Sequence, residues 1–208
     1  MSTPEYPIDF WEARYAGAGE AFVFGQEPND FLVREAHRLG AGSRVLCVAD
    51  GEGRNSVFLA QAGHVVDALE FAPSAIAKAR ALAQARGVDI NVIEADVFGW
   101  DWPAAAYDAV AAIFIQFASP AQRPALFANM LRTLKPGGLL LLQGYTPKQL
   151  DYATGGPSAV ENLYTEQLLL EAFVDHELCL LRTHESVVDE GAGHRGMSAL
   201  VDVVVRKR

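Results

Sequence analysis

The chain predicts a doubly wound α/β fold: a seven-stranded, mostly parallel sheet closed by an antiparallel hairpin. Three observations carry this. Between residues 44 and 143, five short apolar runs alternate with helix-like stretches. The first run, Val45 to Val48, stops in a loop holding Gly51 and Gly53, and a helical pattern follows. Near the end, two long β-rich runs are joined by the short, flexible Gly191-Ala192-Gly193-His194-Arg195-Gly196 connection, the pattern of a hairpin.

Element by element, Phe10 to Tyr15 reads as a short helix whose Trp11 and Tyr15 share one face. Asn29 is a suitable N-cap for a helix ending near Leu39, with Gly40 just past it and Phe31, Leu32, Ala36 and Leu39 as its apolar stripe. Strand one is Arg44 to Val48, and Asn55 to Ala62 is a helix stopped by Gly63. Val65 to Leu69 is strand two. Pro73 suits a first helical turn, and that helix runs to Arg86 before Gly87. Ile90 to Ile93 is strand three. Tyr107 to Phe114, nearly all apolar, reads as strand four, covered on both faces. Pro124 to Leu134 is a helix, Lys135-Pro136-Gly137-Gly138 a tight turn, and Leu139 to Gln143 strand five. Thr165 caps a helix through Phe173, and Leu178 to Val188 and Ser198 to Val205 form the hairpin.

Composition narrows the function. The 208 residues, half of them hydrophobic, suit one domain with a large core. The net charge is −9, and no basic cluster exists beyond Arg206-Lys207-Arg208, which argues against a nucleic-acid partner. Cys47 and Cys179 lack metal or redox spacing and read as reduced thiols. Residues 1–6 lack the pattern of a signal peptide, and the longest apolar run is too short to cross a bilayer. A cytoplasmic protein is expected, with no membrane partner and no metal.

The loop after strand one offers backbone N–H groups at a helix N-terminus, and Glu70 closes the neighbouring strand, where a carboxylate can accept from both hydroxyls of a ribose. Together they point to a nucleoside-bearing cofactor. Val45 to Gly53, Glu70, Glu94-Ala95-Asp96-Val97, Tyr107-Asp108-Ala109-Val110 and Leu134 to Leu140 resemble, in order, the motifs of class I S-adenosylmethionine-dependent methyltransferases. Trp11-x-x-Arg14-Tyr15, Phe24-Gly25-Gln26-Glu27-Pro28-Asn29-Asp30-Phe31-Leu32 and Gly51-Glu52-Gly53-Arg54-Asn55 look like the bacterial tellurite-resistance and thiopurine-methyltransferase-like group, as does Glu190 to His194. Three positions depart from the general pattern: Cys47 replaces an acid common inside strand one, Ala49 replaces the first loop glycine, and Asp50 adds a carboxylate.

The resemblance implies one domain over 1–208, with a helical lid in 1–40, a cofactor-binding core in 41–144, and a substrate loop and hairpin in 145–208. It implies S-adenosylmethionine as cofactor and a small-molecule acceptor: a metabolite, a thiol or a metalloid oxyanion such as tellurite. Ala49, Asp50, Gly51, Glu52, Gly53 and Asn55 are expected around the methionine end, with Trp11 and Tyr15 as a lid (or as core packing) and Arg14 on the cofactor carboxylate. Glu70 and Phe71 are expected at the ribose, Asp96, Val97 and Phe98 at the adenine, and Phe114 and Gln116 after strand four. Tyr145, His194 as a base and Arg195 as an anion binder are the candidate catalytic residues, although in-line methyl transfer often needs no base. The segment 145–163 is a candidate substrate cover, with Tyr152, Thr154 and Tyr164 as possible lining. Two rival readings share the strand, loop and acid: an NAD(P)-dependent oxidoreductase, which would prefer Gly or Ala where Ser56 stands, and a non-catalytic cofactor-binding protein.

Overall fold

The computed structural model describes residues 8–208, so the reading of residues 1–6 lies outside it. Seven strands form one sheet: β1 (Arg44–Val48), β2 (Val65–Glu70), β3 (Asn91–Glu94), β4 (Tyr107–Ile113), β5 (Leu134–Tyr145), β6 (Glu177–Glu190) and β7 (His194–Arg206). Their order is β3-β2-β1-β4-β5-β7-β6. The first five are parallel, and β7 runs antiparallel between β5 and β6. The expected fold class is the observed one.

Alternation explains why β1 is almost wholly apolar. Val45 and Cys47 pack on one face with Phe31 and Leu32 of α2 (Asp30–Glu35) and with Ala109, Ala111, Leu139 and Leu141. Leu46 and Val48 pack on the other with Val110, Leu140, Leu142 and the Leu126, Phe127 and Met130 of α5 (Arg123–Thr133). A strand buried on both sides cannot alternate with polar residues.

Capping chemistry sets the helix ends. The Asn29 side chain accepts from the Leu32 N–H at 3.1 Å. Thr165 does the same for Leu168, opening α7 (Glu166–Ala172). Gly87 takes the left-handed conformation after α4 (Pro73–Arg86), and its N–H returns to the preceding carbonyls. α1 spans Ile8–Gly17, α3 Arg54–Gln61 and α6 Gln149–Tyr152. No helix of the described residues is long and apolar enough to cross a membrane.

Three expectations are corrected. The helix after Asn29 ends at Glu35 and continues only as a 3-10 turn, Ala36–Arg38. Lys135 to Gly138 does not separate a helix from a strand; it lies inside β5 as an irregularity, where pairing jumps from Tyr107↔Leu134 to Ala109↔Leu139. Turn residues serve a bulge as well as a turn. The hairpin connection is shorter than expected, because Glu190 pairs directly with His194 and Asp189 with Arg195. Only residues 191–193 form its tip.

Candidate active site

Sheet order diverges at β1 and β4, which lie side by side while the chain continues to β2 on one flank and β5 on the other. Crevices form outside strand ends at such a point. Here the crevice is a cavity of about 320 Å³. Two non-glycine residues on its wall, Ala49 after β1 (φ 49°) and Phe114 after β4 (φ 56°), hold left-handed backbone. Such strain persists where surrounding structure enforces it, often at functional sites.

One wall is carboxylate-rich. Glu70, at the tip of β2, accepts from the Gly51 N–H and from the Phe71 and Ala72 N–H groups, each at 2.9 Å. Burial raises its pKa, and those amides oppose the shift. Asp50 accepts from the Ser56 hydroxyl and N–H. Burial pushes its pKa up to about 6, with the Ser56 hydrogen bond pulling the other way. Asp96 accepts from the Phe98 N–H at 3.0 Å, which fixes the turn where Val97 and Phe98 meet the cavity.

The roof comes from the chain's first described helix. Glu12 accepts from the Ser74 N–H at 3.0 Å, docking α1 onto the start of α4. Lys78 of α4 donates to the carbonyls of Tyr15 and Ala21 and to Glu52 Oε1, while Glu52 Oε2 accepts from the Phe24 N–H at 3.2 Å. Trp11 stacks on Tyr15 with ring centres 6.1 Å apart, and Phe24 closes the group at 6.2 Å from Tyr15. Glycine suits position 51 beneath this roof: its φ is 63°, and a Cβ there would stand 3.0 Å from the Tyr15 hydroxyl.

The hairpin supplies the remaining wall. Its tip presses on the roof loop, with the Gly193 N–H donating to the Val23 carbonyl at 2.9 Å. His194, the first residue of β7, sits between the rings of Phe24 (4.5 Å) and Phe114 (4.4 Å) and lines the cavity. Its Nδ1 is buried without a hydrogen bond, and Glu190 Oε2 lies 3.8 Å away. Burial lowers its pKa, opposed by Glu190, so the ring is neutral at pH 7. Arg54 pairs with Glu190 through Nη2 at 2.6 Å. Its Nη1 is buried without a partner.

Fourteen of the expected site residues line this cavity: Trp11, Tyr15, Ala49, Asp50, Gly51, Glu52, Asn55, Glu70, Phe71, Asp96, Val97, Phe98, Phe114 and His194. Five do not. Gly53 serves packing, because a Cβ there would stand 2.7 Å from Ala79 Cβ of α4. Gln116 is consumed by backbone: it donates to the carbonyls of Tyr145 and Asn162 and accepts from the Tyr145 N–H. Tyr145 is buried behind Phe114, stacked at 4.7 Å, and reaches the cavity only through that ring and His194. Arg14 lies over the rings of Phe24 (5.0 Å) and Trp11 (5.5 Å), outside the lining. Arg195 is next to His194 in a strand and therefore faces the opposite way; it is exposed and paired with Asp189 at 3.1 Å. Nor does any residue of 145–163 line the cavity. Tyr164 is buried in the core, Tyr152 bonds Glu185, and Thr154 donates to the Met197 carbonyl.

The lining also includes Phe24, Gly25, Arg54, Ala95, Ile113, Phe117 and Gln122, to which no site role is assigned from sequence. Phe24, Gly25, Arg54 and Ala95 belong to the resemblance motifs, which was the available signal. Arg54 reads as an ordinary helix-start residue until the hairpin closes over it.

Residues 45–138 match the methyltransferase domain family. The match covers somewhat less than half of the chain. Over 109 residues it is 34% identical to the demethylmenaquinone methyltransferase of Thermus thermophilus, covering 51% of this chain and 49% of that protein. It is 34% identical over 128 residues to the Deinococcus radiodurans protein of the same name, covering 61% and 51%. The aligned region thus spans about half the length of these curated relatives. Among solved structures, TehB from Haemophilus influenzae superposes with a TM-score of 0.71 at 18% identity, over 95% of this chain and 67% of that one. A methyltransferase from Methanosarcina mazei gives 0.68 at 17%, over 87% and 98%. These likenesses establish the fold.

The Methanosarcina mazei protein is an S-adenosylmethionine-dependent methyltransferase. The cavity suits S-adenosylmethionine on its own terms. It has a carboxylate at the β2 tip with acceptor capacity left after three N–H bonds, a glycine cradle under aromatic rings, and a buried guanidinium nitrogen lacking an acceptor.

Proposed function

We propose that this protein transfers the methyl group of S-adenosylmethionine to a small-molecule acceptor. The observation that carries this reading is one cavity in which Glu70, Asp50 and Asp96 on the strand tips face His194, Phe24 and Phe114 on the lid loop, β4 and hairpin. The bound cofactor supplies an electrophilic methyl group on a positively charged sulfur.

The protein's own work is placement and exclusion of water. Glu70 accepts from the ribose hydroxyls, Asp96 from the adenine amino group, and Val97 and Phe98 flank the adenine. Trp11, Tyr15 and Phe24 cover the site. Glu190, on the Nδ1 side of His194, favours the Nδ1–H tautomer and leaves Nε2 to take the acceptor's proton. A cavity of about 320 Å³ limits the acceptor to a compact molecule. A metabolite, a thiol or a metalloid oxyanion such as tellurite fits that limit, the last suggested by the tellurite-resistance-like motifs. With a net charge of −9, nucleic acid is a poor partner, and the lack of redox or metal spacing at Cys47 and Cys179 suits a cytoplasmic setting.

Calorimetry with S-adenosylhomocysteine tests the cofactor half: binding is expected, and Glu70→Ala should weaken it about 10-fold or more. Labelled methyl transfer across thiols, amines and oxyanions tests the acceptor half. Heat from NADH with none from S-adenosylhomocysteine would overturn the reading in favour of an oxidoreductase.

A further inference from the structure

Arg54 is the one cationic Lys or Arg side chain lining the cavity among the described residues. It opens α3 and is only 7% exposed. Its guanidinium is planar and rigid, so the 2.6 Å bond from Nη2 to Glu190 also fixes where Nη1 points. Nη1 is buried and meets no acceptor. A charged donor removed from water and left unmet is costly, and a ligand oxygen is the usual remedy.

The carboxylate that holds Arg54 is itself anchored. Glu190 is held by Asn29 Nδ2 at 2.9 Å, and Asn29 in turn donates to Gln143 at 2.7 Å. Other cations nearby are engaged elsewhere. Lys78 is spent on Glu52 and two backbone carbonyls, and Arg14 lies across the outer rings. The rest of the lining would repel an anion, since it carries Asp50, Glu52, Glu70 and Asp96.

We infer that Arg54 is the anion-receiving residue of the cavity, its Nη1 taking a carboxylate or comparable oxyanion of the bound small molecule. The inference rests on the S-adenosylmethionine reading above and assigns the polar end of that site. Two sources share this chemistry: the cofactor's methionine carboxylate and an acidic group on the acceptor.

The experiment separates them. Calorimetry compares S-adenosylmethionine with its decarboxylated analogue, on the wild-type protein and on Arg54→Gln. In the wild type the carboxylate should strengthen binding about 10- to 100-fold. In the variant that gap should collapse while the decarboxylated analogue binds as before, which identifies the cofactor as the source. In parallel, benzoate is titrated into each protein saturated with S-adenosylhomocysteine. A gap untouched by the substitution, with benzoate binding lost, assigns the anion to the acceptor. If neither the gap nor benzoate binding depends on Arg54, the inference is overturned while the cofactor reading stands. If the wild type binds no nucleoside, both fall. Arg54→Lys keeps a charge facing Glu190 and serves if the glutamine variant does not fold; a point charge cannot serve both partners in the same geometry, so the gap should still shrink.

Discussion

Asp50 has the most informative titration in the site. Burial lifts its pKa to about 6, so near neutrality it sits close to the point where it can hold or lose a proton. A cation bound beside it favours the ionised form. Affinity for S-adenosylmethionine should therefore fall as pH drops through about 6, and Asp50→Asn should flatten that dependence in calorimetry between pH 5 and 8. S-adenosylhomocysteine, without the sulfonium, should show a weaker trend. His194 makes the opposite demand, because burial keeps it neutral. His194→Asn should lower kcat about 100-fold while cofactor affinity changes little, read by turnover and calorimetry on the same preparation. At this scale the sequence was legible where chemistry and strand-tip position coincide, as at Glu70 and Asp50. It was not legible at Arg195, where one step along a strand decides between cavity and solvent, nor at Tyr145 and Gln116, whose polar reach is blocked by burial.

The element that most constrains the site is the β6–β7 hairpin. A Cβ on Gly191 would lie 2.4 Å from Gly25 N, and one on Gly193 would lie 2.5 Å from the Phe24 ring. Gly191→Ala should cost roughly 1–3 kcal/mol locally, since its φ is 72° and the obstacle is backbone. Hydrogen exchange should show lost protection in residues 10–25, with the sheet centre unchanged; equal loss everywhere would mean the tip is a global strut rather than a lid contact. The five parallel strands were readable because apolar runs bounded by Gly and Pro have few other uses. The bulge in β5 was not, since Lys135-Pro136-Gly137-Gly138 is equally good chemistry for a free turn. The extra length of β7 was hidden by glycines, among them Gly196, whose side-chain direction is filled by Thr154.

Across the whole molecule, Asp202 ties the late strands to the early helices. It is fully buried and accepts from Gln143, Arg34, Arg182 and His184. Burial works against its ionised form, but these donors outweigh it and hold its pKa below 3.8. The sign follows: the stabilisation is present above about pH 4 and is lost as pH falls through the depressed value. Asp202→Ala should cost about 3 kcal/mol in urea unfolding at pH 7 and progressively less in acid. The same chain of contacts, through Gln143 and Asn29, ends on Glu190 beside Arg54. Every cavity-lining residue but His194 lies at or before Gln122, and the hairpin that carries His194 comes more than fifty residues later. A ribosome-bound chain would therefore display the other lining residues long before it could retain a ligand, and competence would arrive abruptly with the hairpin.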